Sequence, residues 1–295
     1  DGVIIDLRRN GGGSLSEATE LTGLFIEKGP VVQVKDSSGR IEIERDPDPE
    51  QVYAGPLAVL VDRNSASASE IFAGAIQDYN RGLILGEPTF GKGTVQTLVD
   101  LGRFLRSRKD IGRLRLTMAQ FFRVQGGSTQ HRGVMPDIVY PTAKGAADHG
   151  ERALDNALPW ASIKAAEHQF LGATPLTGLR DASQERIAGN PGFRFLLEEE
   201  DDLIELDKKT TVSLNESVRR AEWDRREQER LDRRNRLRAF RNLPPLASLD
   251  VEEDEDVSAE DEKDPEGIRR IMLEESANIL ADHIIAMRPR TALAN

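Results

Sequence analysis

The chain has 295 residues, no cysteine and a formal net charge of −11, which leaves room for about two domains of about 150 residues each. The acidic balance disfavours a general nucleic-acid-binding role, and the lack of cysteine excludes disulfides and thiolate zinc sites. No run of about 18 apolar residues is present to span a membrane, so association with one is peripheral at most.

The chain opens on Asp1-Gly2 and enters the apolar run Val3-Ile4-Ile5 at once. That reads as a piece of a longer protein, with no leader from which to infer location. Residues 3–7 read as a buried strand ending at the turn Gly11-Gly12-Gly13. Ser14 and Glu17 start a helix whose apolar positions Ala18, Leu21, Leu24 and Phe25 recur at helical spacing, and Gly29-Pro30 stops it. Residues 31–34 and 41–43 flank Ser37-Ser38-Gly39 as a hairpin. Residues 57–61 form a second buried strand, Ile71, Phe72, Ala75 and Ile76 a helix stripe, and residues 83–85 a third strand. Strand–helix–strand order with continuously apolar strands predicts an α/β fold with a parallel sheet covered by helices. Further strands are expected at 114–118 and 121–124, and Pro136-Asp137-Ile138 closes the region. The composition then changes, placing a boundary between residues 1–146 and a mainly helical part, 147–295. There, helices are expected over 156–170, 185–197, 216–240 and 268–287. The long one reads as a solvated helix laced with i,i+4 ion pairs. An acidic linker falls near 251–267.

Two stretches carry chemistry. In Asn64-Ser65-Ala66-Ser67-Ala68-Ser69-Glu70, a serine sits where a strand turns into a helix, at the edge of a parallel sheet and beside free helix N–H groups. All three serines can equally be helix caps; the small neighbours Ala66 and Ala68 favour Ser67 as a nucleophile. In Gly86-Glu87-Pro88-Thr89-Phe90-Gly91-Lys92-Gly93-Thr94-Val95-Gln96, a lysine follows the next strand among glycines. No histidine is near either stretch, so a nucleophilic serine needs another base, and a neutral lysine is the usual one. If 92–96 is extended, Lys92, Thr94 and Gln96 share a face, and Gln96 can hold the amine. The turn at Gly11-Gly12-Gly13 belongs on the same sheet edge, where its N–H groups and that of Ala68 can bind an oxyanion. His131, His149, His168 and His283 are scattered and read as structural.

The spacing Gly86-x4-Gly91-Lys92 also imitates a phosphate-binding loop. Gly93 stands where Ser or Thr should hold Mg²⁺, and Thr94-Val95-Gln96-Thr97-Leu98-Val99 suits a strand rather than the required helix. A nucleotide binder is therefore the weakest reading. A second alternative is a non-catalytic interaction or regulatory module.

These stretches, with Asp6-Leu7-Arg8-x-Asn10-Gly-Gly-Gly, Gly126-Gly-Ser-Thr-Gln130, Gly133-Val-x-Pro-Asp-Ile138 and Asp155-Asn-Ala-Leu-Pro-Trp160, resemble the C-terminal processing peptidases, specifically the bacterial tail-specific type. The resemblance implies a crotonase-like α/β core followed by a helical C-terminal domain. It implies a serine endopeptidase with Ser67 as nucleophile, Lys92 as general base, Gln96 positioning the lysine, and Gly12 and Ala68 as oxyanion donors. Glu70 and Asp78 fall on positions that matter for activity or for the integrity of the site. It implies no cofactor or metal and no nucleic acid. Its substrates are proteins or peptides with apolar C-terminal tails, its location is the periplasm, and its partner can be a helical-repeat lipoprotein adaptor. The family's tail-reading PDZ domain belongs upstream of Asp1, so substrate selection is expected to lie outside this chain.

Overall fold

The structure, a computed structural model, describes residues 1–48, 50–103, 112–141, 149–172, 174–249 and 267–287. In chain order its elements are β1 (Val3–Asp6), α1 (Leu15–Gly23), β2 (Pro30–Asp36), β3 (Ile41–Arg45), β4 (Leu57–Val61), α2 (Ala68–Asp78), β5 (Leu83–Gly86), β6 (Thr94–Asp100), β7 (Arg113–Phe122), β8 (Ile138–Val139), α3 (Leu176–Gly189), α4 (Pro191–Asp207), α5 (Glu216–Phe240) and α6 (Ile271–Met287). They fall into two compact units. The first comprises Asp1–Val139, Asp148–Leu176 and the chain from His283, and the second comprises Tyr140–Ala147 and Thr177–Asp282.

The first unit holds the expected parallel sheet, in the order β1-β4-β5-β8 with all pairs parallel. Its central strand β4 is buried at every residue, as a sheet covered on both faces requires. A second sheet, antiparallel in the order β3-β2-β7-β6, adds the hairpin and the strands after Lys92. Helix α2 lies between the sheets. Phe72, Ala73 and Ile76 pack with Leu57, Val59, Val61 and Ile84, while Ala68, Ile71 and Ala75 pack with Val31, Val32 and Phe121. Such a helix must be buried nearly all round, and α2 is, its buried residues including the polar Ser69, Glu70 and Asp78. The strands expected at 114–118 and 121–124 are one continuous strand, β7, paired along its length with β6 and at its end with β2.

Residues 156–170 do not form the expected helix. Pro159 interrupts the run, and the backbone bonds to a neighbouring turn instead of to itself: Ser128 N–H donates to Ala161 O, Ile163 N–H to Gly126 O and Ala166 N–H to Val124 O. The first compact unit therefore includes Asp148–Leu176.

In the second unit, the single helix expected over 185–197 is two helices. Asn190 caps α4 by accepting from Gly192 N–H, and Pro191 occupies its first turn, where its missing N–H costs nothing. Helix α5 carries the expected exposed i,i+4 pairs Arg220–Glu216 and Arg225–Glu229, but it is not solvated all round. Arg233 is buried and pairs with Glu199 at 2.9 Å and with Asp202 on α4. Tyr140 OH and Ser276 Oγ are hydrogen-bonded at 2.8 Å. The acidic linker expected near 251–267 lies, up to residue 266, outside the described residues.

Candidate active site

The C-terminal ends of β1, β4 and β5 lie side by side, and each leads into one of the singled-out stretches. The three serines after β4 separate there. Ser65 is buried, its hydroxyl donating to Leu7 O at 2.8 Å and lying 2.9 Å from Asp62 N–H. Ser69 donates to Asn10 O at 3.0 Å. Both hydroxyls pin the end of β1 against the turn. Ser67 forms a capping box with Glu70 and takes φ 58°, ψ −115°, a conformation that costs a non-glycine residue about 1–3 kcal/mol and marks functional turns. Its backbone is held by Glu70 Oε2, which accepts from Ser67 N–H at 2.8 Å.

The glycine loop after β1 packs onto this turn. Gly12 has φ +97°, and a Cβ there would lie 2.6 Å from Ala66 O and 2.8 Å from both Ala68 N and Ser67 Cβ. No side chain fits. Ala68 opens α2, where the first N–H groups have no intrahelical acceptor, and α1 begins just beyond the glycines. Two helix N-termini therefore favour negative charge beside Ser67. The Gly12 N–H donates to Asn10 Oδ1 at 3.0 Å, so an oxyanion must compete with that carboxamide. Gly12→Ala is expected to destabilise the protein by at least about 1–3 kcal/mol in urea unfolding. Gly13→Ala, with nothing within 4 Å and no positive φ, should change stability little.

The lysine loop meets the serine turn through Glu70, which is fully buried on α2. Its Oε1 accepts from Thr89 Oγ1 at 2.6 Å and Gly91 N–H at 2.7 Å. Its Oε2 accepts from Lys92 N–H at 2.9 Å, in addition to Ser67 N–H. One oxygen thus holds the backbones of Ser67 and Lys92 as neighbours. Burial pushes the Glu70 carboxyl up to about 7, against hydrogen bonds that favour the anion. Gly93 is closely packed, since a Cβ would lie 2.6 Å from Ser128 Oγ and 2.7 Å from Gln130 N, and the chain continues as a strand. Both features are incompatible with a phosphate-binding loop.

Lys92 is half-buried and Gln96 exposed. The register shift between Val95 and Gln96 leaves Met118 of β7 as the extra residue, so β6 itself carries no inserted residue between Thr94 and Gln96. Gln96 Nε2 lies 3.4 Å from Thr117 Oγ1, and no hydrogen bond joins it to Lys92. None joins Ser67 Oγ to Lys92 Nζ either. Before substrate arrives, catalytic contacts are commonly longer than in the reacting complex.

Asp78 does not line the site. It ends α2, at the opposite terminus from Ser67, where it pairs with Arg123 and accepts from Gln125 N–H at 3.2 Å. It acts by anchoring the helix between the two sheets. Arg123, Thr89 and Asn10 carry no motif chemistry, and only their partners reveal them. The His149 ring bonds Arg63 O at 3.0 Å, and the backbone N–H of His131 donates to Gly91 O at 2.9 Å.

Residues 1–140 match the model of peptidase family S41, and residues 145–285 that of the C-terminal domain of tail specific protease. The tail-specific protease of Haemophilus influenzae is 40% identical over 292 residues, which is 97% of this chain and 40% of that protein. The carboxy-terminal-processing protease of Bartonella bacilliformis is 40% identical over 139 residues, 47% of this chain and 30% of that one. Among solved structures, the photosystem II D1 C-terminal processing protease is 38% identical and covers 47% of this chain and 34% of its own, with a TM-score of 0.40. The chain thus spans less than half the length of these relatives. It belongs to peptidase family S41, with the C-terminal domain of tail-specific proteases following its peptidase part.

Proposed function

We propose that the chain carries the catalytic site of a tail-specific serine endopeptidase that works by a Ser–Lys dyad. The observation that carries this reading is the serine turn: Ser67 alone of the three has a strained, positive-φ backbone, whereas Ser65 and Ser69 give their hydroxyl protons to Leu7 O and Asn10 O, and Glu70 ties the Ser67 amide to that of Lys92. Neutral Lys92 takes the hydroxyl proton as Ser67 Oγ attacks the scissile carbonyl. The oxyanion lies toward Gly12 and Ala68 N–H. Lys92 returns the proton to the leaving amine, the C–N bond breaks, and an acyl-enzyme remains. Water, deprotonated by Lys92, attacks the acyl carbonyl, and Lys92 returns that proton to Ser67 Oγ as the ester C–O bond breaks and the acid leaves. Gln96 supports Lys92 in this scheme by leaving Thr117 for the amine.

The family resemblance supplies the rest of the proposal: a crotonase-like core, protein substrates with apolar C-terminal tails, a periplasmic location and a helical-repeat lipoprotein adaptor. The test is an acid-quenched reaction with an apolar peptide ester, read by intact mass. An acyl adduct on the wild-type chain that is absent from Ser67→Ala supports the dyad. If the wild type forms no adduct and releases no product, the non-catalytic alternative stands.

A further inference from the structure

The lysine loop has little means of fixing its own shape. Lys92 stands between Gly91 and Gly93, and Gly91 takes φ +90°. Glycine has no Cβ and adopts many backbone conformations, so the direction of the Lys92 side chain is set by whatever holds the neighbouring peptides. Glu70 holds the N-terminal side, at Gly91 N–H and Lys92 N–H. The C-terminal side is held by the turn after β7. Gln130, fully buried, accepts from Gly93 N–H through Oε1 at 2.8 Å, and Thr129 Oγ1 donates to Lys92 O at 3.4 Å. The Gln130 carboxamide is itself oriented, since its Nε2 donates to Leu158 O at 2.9 Å and to Glu151 Oε1 at 3.3 Å. Turned over, it would set N–H against the Gly93 N–H and its oxygen against a carbonyl and a carboxylate. Glu151 is buried and reaches the loop a second time, its own N–H donating to Phe90 O at 3.0 Å. That close approach requires the preceding glycine: Gly150 takes φ +86°, and a Cβ there would lie 2.5 Å from Phe90 O.

From this network we infer that Gln130 and Glu151 are positioning residues for Lys92. Gln130 holds the peptide that follows the lysine, and Glu151 fixes which way the Gln130 carboxamide faces. The inference rests on the peptidase reading above, in which Lys92 is the base. A base must come within about 2.6–3.2 Å of the atom whose proton it takes, and a misplacement of about 1 Å costs up to about 10²-fold in rate. Glu151 and Leu158 lie beyond residues 1–140, which match the peptidase model, and within residues 145–285, which match the C-terminal-domain model. The segment that follows the peptidase match is thereby part of what holds the lysine.

The experiment measures kcat and KM on one apolar peptide ester for the wild-type chain, Gln130→Leu, Glu151→Ala, Glu151→Gln and the double variant Gln130→Leu/Glu151→Ala, with thermal unfolding to show which are folded. Gln130→Leu is close in size but offers no acceptor to Gly93 N–H, and should lower kcat by about 10-fold or more with KM within about 2-fold. Glu151→Ala keeps the backbone N–H to Phe90 O but frees the carboxamide, and should lower kcat by a smaller factor. Glu151→Gln still presents an oxygen to Gln130 Nε2, and should recover most of what Glu151→Ala loses. The double variant should be no slower than Gln130→Leu, because the Glu151 side chain acts through Gln130. A residue that only stabilised the fold would leave kcat per folded molecule unchanged. If folded Gln130→Leu keeps the wild-type kcat, or if the two single losses multiply in the double variant, the positioning assignment falls while the peptidase reading stands. Where Gln130→Leu does not fold, Glu151→Ala and Glu151→Gln decide, and equal kcat in the two overturns the assignment. If the wild type cleaves nothing, both fall.

Discussion

Replacing Ser67 or Lys92 by alanine lowers kcat/KM for a peptide that the wild type cleaves by about 10³-fold or more, the scale set by removing one member of a nucleophile–base pair. The two groups act as a unit, so the double variant should be no worse than either single one. Lys92→Arg should be as inactive as Lys92→Ala. A guanidinium stays protonated at any working pH and cannot accept the serine proton. Steady-state hydrolysis, with far-UV circular dichroism to verify folding, measures all four variants. Retention of more than a tenth of the activity in Lys92→Ala would remove the lysine as the base, and in Ser67→Ala it would remove the serine as the nucleophile.

The second large effect belongs to Glu70. Its carboxylate accepts four hydrogen bonds while fully buried. Glu70→Gln keeps the shape but turns one acceptor oxygen into a donor, leaving two buried donors facing an N–H. At about 1–3 kcal/mol for each unsatisfied donor, the variant should lose about 2–6 kcal/mol of stability at pH 8 in urea unfolding. Its activity should fall as well, since the shared oxygen that holds Ser67 beside Lys92 is disturbed.

The pH dependence has a definite sign. Burial raises the folded carboxyl from an ordinary value of 4.5 to about 7, so the folded state holds this proton more tightly than the unfolded chain. The stabilisation from that proton is complete below about pH 4.5 and is lost as pH rises through about 7. The wild type should therefore lose about 3 kcal/mol between pH 4.5 and 7.5 relative to Glu70→Gln, which lacks the titration. Parallel stability curves for the two proteins over that range would contradict the assignment.

How much was legible beforehand depends on the range of the interaction concerned. The parallel strands were, because continuous runs such as Leu57-Ala58-Val59-Leu60-Val61 have one place to go in a soluble fold. The glycine turns were too, since Gly12 and Gly91 take positive φ, which is a local demand. The run at 156–170 misled because its apolar spacing resembles a helix, while its backbone partners lie in the turn at 124–128. The pairing of Gln96 with Thr117 was not legible, because a register shift in the partner strand has no signature in residue type.

What the sequence by itself determined is therefore the strand-and-turn frame, the family, and the pairing of a serine turn with a lysine loop. These follow from short-range sterics and from residue types that few other frames tolerate. The separate bonding of Ser65 and Ser69, the role of Glu70 as a common acceptor for two loops, and the place of Asp78 at the far end of α2 came only from the tertiary structure. Each depends on which donors meet which acceptors after distant segments pack together. Leu7 O and Asn10 O take the hydroxyls of Ser65 and Ser69, Arg123 takes Asp78, and Ser67 alone of the three holds a positive φ.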